Sequence, residues 1–289
     1  MPSTLLYGLI LYDIIEGKRF IGGPAINIAL HMAFHGEQPT LVSCIGNDSL
    51  GNTAGKMLVD NHVSTDFIKI DNNHNTGTVP VFLDEKGNPT FEIIRPVAYD
   101  FITLTDRQLE ELSRTSFDIL YFGTVVQRTA TSAETLRNIL NSVSYNSIFF
   151  DINLRKGHFT KGVIDFSLRH TDIFKLNDQE ILWVANIFGL ETQDEQKIAD
   201  WIFAQFPVSI ILLTRGENGA SVYTPSARND IGGIKVKVKD TVGSGDAFSA
   251  GFIMEYVKSG DLMFAATKGN ELGAYVAARS GAVPEINED

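Results

Sequence analysis

Cysteine is nearly absent from this 289-residue chain: Cys44 is the only one, so no internal disulfide can staple the fold. It stands in the apolar run Leu41-Val42-Ser43-Cys44-Ile45, where a buried strand residue is expected and a reactive thiol is not, and a reducing cytoplasm is the compartment this usage suits. Basic charge is also short. Lys and Arg number 24 against 35 Asp and Glu, a formal charge of -11, which leaves no basic footprint for nucleic acid and means that any polyanionic ligand must be held locally. No run of about 18 apolar residues occurs, so no membrane partner is expected, and the start from Met1 to Leu11 lacks a basic stretch and meets Asp13 and Glu16 too soon for a signal peptide. Internal repeats, low-complexity tracts and flexible linkers are missing too, which argues against a second independently folding domain.

What is present suits one large α/β domain: 44% hydrophobic and 20% charged residues can build a full core. Apolar runs of strand length, expected at 5–11, 41–45, 118–122, 147–151, 172–176 and 209–214, alternate with helix-period segments at 25–35, 50–61, 105–113, 131–143, 178–187, 194–205, 245–258 and 261–279. That alternation predicts a mostly parallel sheet covered by helices on both faces. Between Ile68 and Tyr99 the helices lapse, and Thr78–Leu83, a turn over 84–89 and Thr90–Arg95 read as a hairpin. With 12–21 it could form a small sheet standing off the main domain; an ordinary surface hairpin is the plainer alternative.

The strongest chemical signal is Asp240-Thr241-Val242-Gly243-Ser244-Gly245-Asp246-Ala247-Phe248. Glycines at 243 and 245 let backbone N–H groups converge, and the apolar positions that follow predict a buried helix, whose N-terminus carries about half a positive charge. Asp246, in its first turn, could accept a proton from an attacking hydroxyl, or could be a plain capping aspartate. A dinucleotide-binding fingerprint would need a third glycine where Phe248 stands, and the Walker-like string Gly51 to Met57 is one residue short and ends in Met, so it reads as an ordinary helix start.

The 240–248 string resembles the C-terminal signature of the phosphofructokinase-B family, the ribokinase-like carbohydrate kinases. Gly22-Gly23-Pro24-Ala25-Ile26-Asn27 is similar to the family's N-terminal signature. Asp151-Ile152-Asn153-Leu154-Arg155 and Lys175-Leu176-Asn177-Asp178-Gln179-Glu180 resemble its fructokinase and ketodeoxygluconate kinase branch, and Leu213-Thr214-Arg215-Gly216-Glu217-Asn218-Gly219 its nucleotide loop. Order and spacing agree over essentially the whole chain. The resemblance implies a ribokinase-like three-layer sandwich, with a core of 1–11, 22–67 and 100–289 and a β-lid of 12–21 and 68–99. It implies an ATP-dependent sugar kinase requiring Mg²⁺, with K⁺ as a further ion used by some members.

Residue by residue, Asp246 matches the family's base and the N–H groups of Gly243, Ser244 and Gly245 its anion hole. Asn177, Thr214, Gly216, Gly219 and Asn270 match nucleotide positions, and Glu180 acts on Mg²⁺ through water; without the family, Asn177 and Glu180 read as a helix cap and a solvated face. Asp240 and the carbonyl of Val242 match a monovalent-cation site, although Glu285 stands where a Ser often helps. Asp13, Gly22, Gly23 and Asn27 match sugar positions, and Arg95 and Arg155 match two substrate-side arginines, each also readable as an ordinary surface cation. Ile152 in place of the usual proline, His158-Phe159 in place of Leu-Trp, and Lys18-Arg19 in a short lid entry depart from the pattern and leave an acidic or phosphorylated sugar open. Fructose is the leading acceptor; ketodeoxygluconate, a fructosamine, a nucleoside or a sugar phosphate are the alternatives, and a non-catalytic sensor is the reading outside enzymes. The expected partners are a small sugar, ATP and a second copy of the chain pairing through the lid, where Val79, Val81 and Phe82 could offer apolar faces.

Overall fold

Two sheets divide the strands in the computed structural model, which describes residues 3–15, 17–83 and 89–284. The strands are β1 (Thr4–Tyr7), β2 (Leu11–Ile15), β3 (Lys18–Gly22), β4 (Thr40–Gly46), β5 (Ile68–Asp71), β6 (Gly77–Leu83), β7 (Pro89–Phe91), β8 (Ser116–Gly123), β9 (Ser144–Asp151), β10 (Ile173–Asn177), β11 (Ile210–Thr214), β12 (Ala220–Thr224) and β13 (Ala227–Ile231). The helices are α1 (Pro24–Phe34), α2 (Ser49–Asp60), α3 (Asp106–Ser113), α4 (Ala130–Ser142), α5 (Lys161–Leu168), α6 (Asp178–Phe188), α7 (Glu195–Gln205), α8 (Ser244–Ser259) and α9 (Leu262–Ala277). The large sheet runs β13-β12-β11-β10-β9-β8-β1-β4-β5, its pairs parallel except β11–β12 and β12–β13, so that β12 alone runs against the rest; the small one runs β3-β2-β6-β7.

Alternation along each central strand explains the layers. In β8, Leu120 and Phe122 join Leu5 and Tyr7 in a core shared with Leu136 and Ile139 of α4, Ile164 of α5, Ile181 of α6 and Ile198 of α7. Ile119 and Tyr121 point the other way, to Ile26 and Ile28 of α1, Leu58 of α2, Phe252 of α8 and Ala265 of α9. Burying each large apolar side chain stabilises the fold by about 1.5–3 kcal/mol, so a sheet covered on both faces favours unbroken apolar strands. Helix starts carry the expected caps: Asp48 accepts from Gly51 N–H, and Thr105 forms a reciprocal pair with Gln108. The Walker-like string opens α2, and its Lys56 pairs with Asp60 on the helix surface. Cys44 is buried, and burial pushes its thiol up to about 12.

Several expected boundaries move. The single strand expected over 5–11 is cut at Gly8, where a Cβ would stand 2.7 Å from that of Ala25; the chain turns over the start of α1, and Leu11 belongs to the small sheet. Within 68–99, β5 pairs with β4 at the edge of the large sheet, and Ala98–Phe101 form a buried 3-10 turn, so β6 and β7 are the part that joins the small sheet. The expected 90–95 strand is shorter, Pro89–Phe91, and 84–88 in its turn lie outside the described residues. Other elements went unanticipated, among them β5, β12, the exposed polar β13, and the two-turn α5.

Candidate active site

Side chains with chemistry collect where the parallel strands end. Asp151 closes β9, Asn177 closes β10, and Thr214 closes β11 directly opposite Asn177. Ligands of open α/β sheets bind just beyond such carboxyl ends. The N-terminus of α8 faces the same edge. Its cap, Gly243, has φ 77°, and a Cβ there would lie 2.4 Å from that of Ala282, so both backbone and neighbour demand glycine. Gly243→Ala should therefore lose about 1–3 kcal/mol of stability from the left-handed backbone alone, with the Ala282 clash adding to it; a denaturant midpoint unchanged from wild type would contradict this.

The free donors here differ in part from those expected. Ser244 spends both its N–H, at 3.2 Å, and its hydroxyl, at 2.8 Å, on the Thr241 carbonyl. Among the described residues no backbone carbonyl accepts from the N–H of Gly243, Gly245 or Asp246, which leaves these three open at the helix mouth.

Asp246 Oδ2 accepts a 2.7 Å hydrogen bond from Asn27 Nδ2, brought in by the second turn of α1. Burial raises the Asp246 carboxyl to about 6, against the Asn27 hydrogen bond; Asp151 adds to the rise, and Lys175 and Arg155 oppose it. Asn27 thus bonds the carboxylate, and its buried Oδ1 has no partner among the described residues. Beneath lies an ion pair that sequence reasoning missed: Lys175 Nζ meets Asp151 Oδ2 at 2.7 Å, with the Ser249 hydroxyl 3.3 Å from the same oxygen. Burial alone would depress Lys175, but Asp151, then Glu180 and Asp246, reverse this and leave it raised. Its ammonium stands 3.5 Å from where a Cβ on Gly245 would sit, at the helix mouth. The available signal was a lysine inside the apolar strand Ile173-Phe174-Lys175-Leu176.

Two cavities meet at this point. One, of about 410 Å³, is lined by Asp13, Gly23, Asn27, Tyr99, Arg155 and Asp246 among others. The second, of about 610 Å³, is lined by Gly219, Ile234, Val238, Asn270 and Ala274 among others. Thr214, Gly216, Thr241, Ser244 and Gly245 line both, so the cavities form one trough with the α8 N-terminus at its waist.

In the smaller cavity burial raises Asp13 to about 6, with Arg155 opposing and Asp240 adding. Gly22 lets Asp13 in, since a Cβ there would stand 2.8 Å from its Oδ2; at Gly23, φ is 108° and a Cβ would meet the Leu9 carbonyl at 2.4 Å. Val79, expected as an outward apolar face, instead lines this cavity and is buried; the side chains of Val81 and Phe82 lie outside the described residues. Arg95 is exposed and lines neither cavity.

Asn177 and Glu180 make a reciprocal cap: Asn177 Oδ1 accepts from the N–H of Gln179 and Glu180, while Glu180 Oε2 accepts from Asn177 N–H at 2.9 Å and Oε1 from Leu154 N–H at 2.7 Å. Glu180 is buried, not a solvated face. Asn270 Nδ2 donates to the Gly232 carbonyl at 3.0 Å, anchoring the strip that carries Ile234 and Val238 over the larger cavity. Asp240 accepts from Val242 N–H at 3.0 Å and from Gly281 N–H at 3.1 Å; Glu285 lies outside the described residues.

Known proteins share this fold. A family model described as pfkB family carbohydrate kinase matches residues 13–288. A putative sugar kinase of Pyrococcus horikoshii is 28% identical over 256 residues, covering 86% of this chain and 77% of its own length. A fructokinase of Escherichia coli is 26% identical over 242 residues, covering 80% and 75%. In three dimensions, a Vibrio cholerae fructokinase crystallised with fructose, ADP and calcium superposes with a TM-score of 0.84 at 24% identity, covering 98% of this chain and 95% of that one. Among the described residues no helix is long and apolar enough to cross a membrane.

Proposed function

This chain belongs to the pfkB family of carbohydrate kinases, and from that premise we propose that it phosphorylates a hexose, fructose first among candidates, with Asp246 as general base at the waist of the trough. The observation that carries the reading is the juxtaposition of a carboxylate raised to about 6 with unpartnered N–H groups between two cavities. ATP occupies the larger cavity, its base against Ile234, Val238 and Asn270 and its phosphates toward Lys175 and the N–H groups of Gly243, Gly245 and Asp246. The sugar occupies the smaller one, with Asp13 accepting from its hydroxyls and Arg155 beside it. Asp246 takes the hydroxyl proton as that oxygen bonds to the γ-phosphorus; the bond from that phosphorus to the β,γ-bridging oxygen breaks, and ADP leaves with its electron pair.

Among the described residues no set of three or more His, Cys, Asp or Glu side chains converges on a metal, so Mg²⁺ would rely on phosphates and water, with Asn177 and Glu180 as outer contacts. The Glu180 oxygens each accept one N–H and keep lone pairs free for such water. Bound there, Mg²⁺ supplies charge neutralisation on the phosphates. Asp240 and the Val242 carbonyl would hold K⁺ behind the helix mouth. The small sheet of β3, β2, β6 and β7 acts as a lid that excludes water as a competing acceptor, and its edges are the surface for a homodimer. The cytoplasm, where ATP is abundant, is the assigned location.

The preference for fructose rests on the Asp151–Arg155 and Lys175–Glu180 strings and on the E. coli relative's name. A coupled ADP-release assay over fructose, ketodeoxygluconate, a fructosamine, a nucleoside and fructose 6-phosphate tests it: fructose should give the highest kcat/KM. Fastest turnover of an anionic acceptor would transfer the assignment to that class, and no ADP release with any of them would leave a sensor. Asn27 adds a sharper check. Its N–H stabilises the ionised carboxylate, so Asn27→Ala should move the acid limb of turnover to higher pH; an unmoved limb would show that Asn27 does not tune the base.

A further inference from the structure

Arg128 is a buried cation that the phosphoryl transfer does not use. Its side chain is 3% exposed, and it lines neither cavity. A guanidinium is costly to bury unless its fork of N–H groups is met, and here separate segments of the chain meet it. Nε and Nη2 donate to the two oxygens of Asp100 at 2.6 and 2.8 Å; Nη2 also donates to the Ile94 carbonyl at 2.9 Å, and Nη1 lies 3.0 Å from Nδ1 of His158, ahead of α5. A guanidinium only donates, so His158 Nδ1 is the acceptor and that ring is neutral. Burial, then Arg128 and Arg95, lower the His158 pKa in the same sense.

The groups held by this fork belong to the wall of the smaller cavity. The 92–94 leg returns from the small sheet to the core, with the N–H groups of Glu92 and Ile94 on the Pro80 and Thr78 carbonyls, and Ile93 between them lines that cavity. Asp100 fixes the turn Ala98–Phe101 by accepting from Val97 N–H at 3.1 Å. Tyr99, within that turn, lines the cavity as well. Its ring centroid is 4.8 Å from the guanidinium carbon, and its edge lies against Gly77 at the start of β6, where a Cβ would stand 2.5 Å from it. Val125, which opens the short turn that Arg128 caps, is a further lining residue. One planar group thus ties the return leg, the aromatic wall and the turn before α4 into a single arrangement. An ammonium, with all its donors on one nitrogen, cannot span these partners at once.

We propose that Arg128 is a positioning residue for the acceptor: it docks the return leg of the lid onto the core and so sets the Ile93 and Tyr99 wall against which the sugar binds. This rests on the sugar-kinase reading for the identity of the acceptor. Two variants test it. Arg128→Lys keeps a cation facing Asp100 and loses the fork; Arg128→Met combined with Asp100→Asn removes both charges, so that no carboxylate is stranded. Both should raise the KM for fructose at least about tenfold with the KM for ATP within about twofold. Equal rises in the two KM values would mark a general structural role and overturn the proposal, as would a fructose KM within twofold of wild type in either variant. The rise in melting temperature on adding fructose is read in parallel, since it needs no turnover. A wild type shifted by fructose that releases no ADP would sink the kinase reading, and loss of that shift in Arg128→Lys would still support the docking role. A wild type that neither turns over nor is shifted by any acceptor in the panel overturns the proposal together with that reading.

Discussion

Asp246→Asn should lower turnover at least about a hundredfold, the lower end of what a general base contributes, while ATP binding stays within a few-fold of wild type. The substitution preserves shape, keeps an oxygen for Asn27 Nδ2 and leaves the N–H groups of Gly243 and Gly245 in place, so the phosphate cradle survives while the proton acceptor is gone. Coupled ADP release reads the first effect and titration with a non-hydrolysable ATP analogue the second. The same variant carries a stability signature. Because burial raises Asp246 from 3.8 to about 6, the folded state holds a proton that the unfolded state has released between those values, and stability is lost as pH rises through that window. Removing the charge should make Asp246→Asn melt above wild type at pH 8, with the gap closing toward pH 4.

The second large effect is expected at Lys175. Its side chain is 7% exposed and that of Asp151 2%, so the pair is sealed from water. Lys175→Met strands a buried carboxylate whose remaining partner is the Ser249 hydroxyl, and removing one member of such a pair costs about 3–5 kcal/mol. Adding Asp151→Asn should recover most of that loss by removing the stranded charge. Turnover should not recover, because the cation beside Gly245 is still missing. Denaturant midpoints of the two variants check this: a double variant no more stable than the single one would show that lost packing, not the unpaired charge, dominates.

The parts of this molecule visible in its sequence are those set by local rules. Central strands such as β8, with Ile119–Phe122, read as unbroken apolar runs because both faces are covered, and Gly-Ser-Gly-Asp announces a helix mouth because glycine and the first-turn aspartate act within a few residues. What escaped depends on tertiary placement. Asn27 and Asp246 are 219 residues apart, and nothing local indicates that the amide donates to the carboxylate. Lys175 was visible as a charge in an apolar strand, but its partner sits on the neighbouring strand. Strand β13 carries Arg228, Asn229 and Asp230 in the open and so has no hydrophobic pattern to detect; it forms because β12 offers an edge. Gly8 ends β1 through a contact with Ala25 that spacing cannot foresee. Arg95, placed at the substrate by its motif, lines neither cavity: the 92–95 leg continues alongside β6, with the N–H groups of Glu92 and Ile94 on the Pro80 and Thr78 carbonyls, and it is Ile93 that reaches the smaller cavity.

The dependence of kcat on pH between 5 and 8, at saturating ATP and fructose so that the titration of Asp13 in sugar binding drops out, tests the assignment of Asp246 most directly. The expected curve loses about tenfold per pH unit below about 6, one proton's worth, in line with the raised carboxyl at the waist of the trough. A flat profile, or the same acid limb persisting in Asp246→Asn, would mean that another group takes the hydroxyl proton.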